Sequence, residues 1–190
     1  LSWQALDRLG CRRVLSESHL LPPASPLLGV CSVRYLRSQS SGARHFRTLL
    51  RLNWFRPIGD VAGRLRRIPH AQRGPCAMCG AAEVETVSHF LLHCTAFAAE
   101  RGVMQQAVHA AGGSGGRTQL DAAAADQHES DMLWLSIMLG GSYHLAAAAA
   151  GGDDDPCWNK RARGEADRAC SVFLRTVCRR RLARAAGSDP

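Results

Sequence analysis

Residues 75–94 read PCAMCGAAEVETVSHFLLHC and contain the pattern C-x2-C-x9-H-x4-C, formed by Cys76, Cys79, His89 and Cys94. Two cysteines two residues apart, followed by Gly80, suit a tight turn that aims both thiolates at one point. A downstream helix can then deliver an imidazole, and a last thiolate closes a tetrahedron. Three sulfurs and one nitrogen, with no carboxylate, favour zinc over magnesium or calcium. Four protein ligands leave no position for water, so such a centre is structural rather than catalytic.

His93 offers a second ligand set. On an ideal α-helix, residues four apart share a face, whereas residues five apart diverge by roughly 140°. His89 and His93 therefore fit a regular helix better than His89 and Cys94. Cys94 fits if the helix ends or loosens at it, with Thr95 starting the next one. Both sets, Cys76/Cys79/His89/Cys94 and Cys76/Cys79/His89/His93, follow from the residues.

On either side of this segment the chain reads as mainly α. PPASP at 22–26 breaks regular structure. Residues 43–55 have helical period, with Phe46, Leu49, Leu50 and Trp54 on one stripe and Arg44, Arg47 and Arg51 on another. Pro57 ends that helix. Asp60 is placed to cap a short helix with Val61, Leu65 and Ile68 inward. Thr86 is placed to cap a helix through SHFLLH. A further helix is expected from Ala96 to about Ala111, with Phe97, Val103 or Met104, Ala107 and Val108 inward. GGSGG at 112–116 reads as a flexible linker. Asp131 is placed to start an apolar helix that Gly140 and Gly141 stop. AAAAAGGDDDP at 146–156 reads as a low-complexity loop. The last helix is expected over 161–185, with Ala166, Cys170, Phe173 and Val177 buried and Arg175, Arg179, Arg180 and Arg184 outside. The expected architecture is several short helices around a small zinc knuckle, with low-complexity loops. Its parts are an N-terminal basic segment (1–42), Arg-rich helices with the metal module (43–111), a linker with an apolar helix and loop (112–160), and a basic C-terminal helix (161–190).

Charge is distributed in blocks. Of the 24 basic residues, 23 are arginine, and Lys160 is the one lysine. Residues 1–75 carry a net +10, residues 76–158 a net −8, and residues 159–190 a net +6. Basic ends around an acidic middle suit a polyanionic partner. Hydrophobic residues make up 46% and charged residues 21%, which argues against wholesale disorder. No apolar run approaches the ~20 residues of a bilayer span, so no membrane partner is expected. No secretory signal is visible, and the start at Leu1 suits a piece of a longer reading frame. The eight cysteines lack a regular disulfide spacing, which points to a reducing, intracellular setting.

The stretch from FRTLLRLNWF to CTAFAAERGVM resembles the C-terminal zinc-binding region of non-LTR retrotransposon reverse transcriptases. An Arg/Leu-rich helix (Leu49, Leu50, Arg51) precedes C-x2-C-G (Cys76, Cys79, Gly80). Then come Glu85, Thr86, Val87, His89, Phe90, Leu91, Leu92 and Cys94, and an aromatic-containing helix with Phe97 and Arg101. The resemblance covers residues 43–104, a third of the chain. It implies Cys94 rather than His93 as the last ligand, since the residue before that cysteine varies in the family. Thr95 stands where the family often has proline. The resemblance also implies a nuclear setting and a role beside RNA or DNA. The polymerase itself would need an aromatic-x-Asp-Asp hairpin holding two metal ions. Asp153–Asp155 lie in a low-complexity loop with no apolar strand around them, so no enzyme activity is expected of this chain.

Two functions follow as expectations. In the first, a zinc-stabilised module binds RNA or DNA through Arg44, Arg47, Arg51, Arg56, Arg64, Arg66 and Arg67, with Trp54, Phe55 and His70 available to stack on unpaired bases. Core packing competes with stacking for both Trp54 and Phe55, more strongly for Trp54. In the second, zinc staples a structural or protein-interaction domain, and arginine is solubilising surface. Under either reading, metal binding supplies local folding free energy, and its removal is expected to spare the C-terminal helix.

Overall fold

A computed structural model describes residues 41–69, 72–139 and 158–187. The expectations for residues 1–40, His70, Gly140–Gly141 and the low-complexity loop at 146–156 lie outside these. The described residues are mainly helical, as expected, and contain no strand beyond an isolated antiparallel bridge between Pro75 and Val84. In chain order come α1 (Ser41–Arg51), α2 (Gly59–Leu65), a π-turn (His89–His93), a 3-10 turn (Thr95–Phe97), α3 (Ala98–Ala123), α4 (Gln127–Met138) and α5 (Lys160–Ala185).

Helix α5 is the central element, packed against α3, α1 and α4. Its inward stripe is Ala162, Ala166, Cys170, Phe173, Leu174, Val177, Cys178 and Arg181, at the three- and four-residue spacing of one helix face. The small side chains at Ala162, Ala166 and Cys170 let the neighbouring helices approach closely. Asn159 caps the helix, accepting from the Arg161 and Ala162 amides at 3.0 Å each. The four residues expected to be buried here are buried.

Helix α1 turns Ala43, Arg47 and Leu50 inward and ends earlier than its hydrophobic pattern suggests. Asn53, in the left-handed region at φ 53°, reverses the chain. Helical periodicity therefore does not carry through to Trp54, which is 42% exposed, and Phe55 is the buried aromatic. Phe55 lies between Phe46 and Phe90 at 5.9 and 6.0 Å, and Phe90 meets Phe97 edge-on at 5.3 Å. This chain of rings ties α1 to the π-turn and the 3-10 turn.

Ile58, the residue before α2, supplies no side-chain cap. Asp60 lies inside the first turn and instead pairs with Arg64 and Arg73. Val61 is inward as expected, but Leu65 is 58% exposed at the helix end.

Helix α3 runs through the stretch read as a linker, with one break at Gly113 (φ 60°, ψ −155°). The tertiary reason is Trp158, the largest fully buried side chain. A Cβ at Gly112 would lie 2.8 Å from its ring, and one at Gly116 3.0 Å from it. The glycines form a slot for an indole. Met104 and Val108 face inward, whereas Val103 and Ala107 are exposed. Helix α4 begins four residues before Asp131. Asp126 is its cap, accepting from the Glu129 amide at 3.0 Å. The run from Leu133 to Met138 is buried throughout, as suits a helix that is apolar all round. No helix among the described residues is long and apolar enough to cross a membrane.

Candidate metal centre

Two backbone features assemble the site. The Gly80 amide donates to the Cys76 carbonyl at 2.8 Å, and the Cys76 amide donates to the Ala81 carbonyl at 3.0 Å. Gly80 takes φ 73°, which a side chain would strain. This is the tight turn that the C-x-x-C-G sequence implies. The second feature is the π-turn. Thr86 Oγ1 accepts from the His89 amide at 3.0 Å and starts the segment, as expected of a cap. The Cys94 amide then donates to the His89 carbonyl at 2.6 Å, an i→i+5 bond. That wider turn brings residues five apart onto one face and resolves the geometric conflict between His89 and Cys94. Arg101 donates to the Cys94 carbonyl at 3.1 Å and to the Leu91 carbonyl at 3.5 Å, satisfying acceptors that the irregular turn leaves open.

The ligand atoms of Cys76, Cys79, His89 and Cys94 all lie within 4.8 Å of one another. Cys76 Sγ is 3.9 Å from Cys94 Sγ, and Cys79 Sγ is 3.4 Å from His89 Nε2. Such a group can hold a metal ion. His89 supports this independently. With Nε2 facing the sulfurs, Nδ1 is buried without a hydrogen-bond partner, and Glu83 Oε2 stands 3.6 Å away. A carboxylate that accepts from the second ring nitrogen commonly fixes a metal-ligating tautomer, and Glu83 stands near enough for that role without making the hydrogen bond. His93 points elsewhere. Its Nε2 meets Asp131 Oδ2 of α4 at 2.7 Å, so the alternative ligand set does not assemble.

The three thiols differ in acidity. Burial pushes Cys94 up to about 12, helped by the charge of Cys76, and burial likewise raises Cys76. Burial acts upward on Cys79 too. There it is outweighed by hydrogen bonding from the Ala81 backbone, His89, Cys76 and Cys94, which brings the thiol down to about 6.

The arginines proposed for nucleic acid divide. Arg47 is fully buried, with its guanidinium 3.4 Å from Asp167 on α5, so it is a packing residue rather than a surface cation. Arg64 pairs with Asp60 at 3.1 Å. Arg44 and Arg51 are half-buried and make contacts of their own. Arg56, Arg66 and Arg67 are exposed.

One buried pair was not anticipated. Glu85, in the loop between Cys79 and His89, receives Arg181 of α5 in a two-pronged contact at 2.8 and 2.7 Å. Glu85 also accepts from the Gly59 amide at 3.1 Å and passes its own carbonyl to the Asp60 amide at 3.0 Å. The loop that carries the candidate metal ligands, α2 and α5 thus converge on one carboxylate. Continuing the expected stripe 170–173–177 by one more turn reaches Arg181, and an arginine on a buried stripe demands an acidic partner. No family model, curated protein or solved structure matches this chain.

Proposed function

We propose that the chain is a zinc-stapled nucleic-acid-binding module, of the kind that lies C-terminal to the polymerase in non-LTR retrotransposon reverse transcriptases, and that it carries no catalytic centre itself. The observation that supports this most is the convergence of three thiols and one imidazole within 4.8 Å. Such a donor set suits zinc and closes its coordination, which is the chemistry of a folding staple. Zinc supplies no reaction step here. Cys76 and Cys79 would hold it from the tight turn, and His89 and Cys94 from the start and the end of the π-turn.

The binding half of the reading rests on Arg56, Arg66 and Arg67, with RNA or single-stranded DNA as partner. The specific observation on the other side is how many arginines are used internally: Arg47, Arg64, Arg73 and Arg181 all sit on carboxylates. It favours the structural or interaction-domain reading. Two measurements separate the cases. Elemental analysis should find close to one zinc per chain, lost in Cys94→Ser and kept in His93→Ala. Binding to RNA should weaken with salt at a logarithmic slope of roughly −2 to −4, the value for three or four phosphate contacts. Zinc without salt-sensitive binding leaves the interaction domain as the answer.

A further inference from the structure

The ends of α1 and α2 carry an exposed aromatic ring and exposed arginines, and the two ends are built alike. Helix α1 closes with a double hydrogen bond: the Trp54 amide to the Leu49 carbonyl at 2.7 Å, and the Asn53 amide to the Leu50 carbonyl at 3.0 Å. Helix α2 closes the same way, the Ile68 amide to the Gly63 carbonyl at 2.8 Å and the Arg67 amide to the Arg64 carbonyl at 3.0 Å. In this cap the residue after the helix takes a left-handed conformation, which glycine accepts freely and asparagine tolerates. Asn53 (φ 53°) fits that rule. Arg67 (φ 57°) does not. A long, unbranched cation stands where the backbone prefers glycine, and among the described residues its guanidinium has no acidic partner. Backbone strain retained at an exposed position is a pointer to what the side chain does.

The two helix ends are neighbours. Arg64 reaches back from α2 to the Asn53 carbonyl at 3.5 Å while its Nε holds Asp60, so one side chain links the end of α2 to the residue before Trp54. The two linked ends carry Trp54 at 42% exposure, Leu65 at 58%, and exposed Arg56, Arg66 and Arg67. Among the described residues none of these three arginines is in an ion pair. An exposed ring on helix ends that also carry exposed guanidinium groups suits a chain of flat, stackable bases carried on phosphates. It does not match duplex, whose bases are already stacked.

We propose that Trp54 is the base-stacking residue of a single-strand site, with Arg56, Arg66 and Arg67 holding the phosphates on either side of the stacked base. The assignment rests on the nucleic-acid-binding reading above and narrows it to single-stranded RNA or DNA. Phe55, buried in the ring chain, has no part in it.

The test uses the zinc-loaded chain, a labelled 12-nucleotide oligo(U), an oligo(dT) of the same length and a blunt 12-base-pair duplex, read by fluorescence anisotropy. The unaltered chain should prefer both single strands to the duplex. Trp54→Ala should weaken single-strand binding about five- to a hundred-fold, the range for loss of one stacked base, and leave duplex binding nearly unchanged. Trp54→Phe should recover most of the loss. Arg67→Gly gives a sign that a structural role cannot give: thermal stability should hold or rise, because the strain at φ 57° is relieved, while the salt slope falls by about 0.7. If the chain binds no nucleic acid, the broader reading fails and this one with it. If it binds but Trp54→Ala keeps its single-strand affinity, or loses single-strand and duplex affinity equally, the stacking assignment alone is overturned. An Arg67→Gly variant that is destabilised, or that binds as before, removes Arg67 from the site.

Discussion

Replacing Arg181 with methionine should be among the most damaging single changes to this fold. The guanidinium meets both oxygens of Glu85 at 2.8 and 2.7 Å, and the two side chains are 7% and 1% exposed. Removing it leaves a carboxylate in the interior with a single backbone donor, the Gly59 amide. Loss of one partner from a buried pair costs about 3–5 kcal/mol. Total stabilities run at about 5–15 kcal/mol, so the variant should lose from about a fifth of its stability to all of it. With a urea dependence near 2 kcal/mol per molar, the midpoint should fall by about 1.5–2.5 M. Changing Glu85 to glutamine in the Arg181→Met background removes the stranded charge and should restore a large part of the loss. The double-variant cycle should therefore show coupling well above 1 kcal/mol. Urea unfolding of the zinc-loaded chain, followed by far-UV circular dichroism, measures all four corners. A single-variant loss under about 1 kcal/mol, or strict additivity, would mean that the pair is solvated and does not clamp the metal loop to α5.

Three further outcomes follow from the same geometry. With Cys79 brought down to about 6 while Cys94 is pushed up to about 12 and Cys76 is also raised, the metal-free chain at pH 7 carries one thiolate and two thiols. Zinc competes with protons for the thiols, so its affinity should climb with pH, and binding should release close to two protons, where three unperturbed thiols would release close to three; calorimetry in buffers of differing ionisation enthalpy counts them. Chelation should expose more than the segment between Cys76 and Cys94: because Glu85 joins it to Arg181, amide exchange should accelerate in the C-terminal half of α5 while the end near Ala162 and Ala166 stays protected, and unchanged protection around Arg181 would contradict the coupling. Alanine at Gly112 should destabilise by about 1–3 kcal/mol through its clash with Trp158, whereas alanine at Gly102 or Gly164, where nothing lies within 4 Å, should stabilise by up to about 1 kcal/mol; thermal melts of the three variants should split in sign.

The sequence by itself determined the local features. The C-x-x-C-G turn, the Thr86 cap and the buried stripe of α5 depend on residues a few positions apart, and backbone geometry alone relates such residues. Cys76, Cys79 and His89 were legible as candidate ligands for the same reason, whereas helix geometry left Cys94 and His93 both open. Long-range packing decided the rest. Whether His89 could pair with Cys94 depended on a π-turn, whose wider spacing no α-helical period anticipates. Whether GGSGG was a linker or a slot depended on Trp158, more than forty residues away in the chain. Arg47 and Arg56 look alike as letters. Arg47 meets Asp167 in the interior and Arg56 meets solvent, because burial is set by which helix crosses which, and only the folded chain brings positions 47 and 167 together.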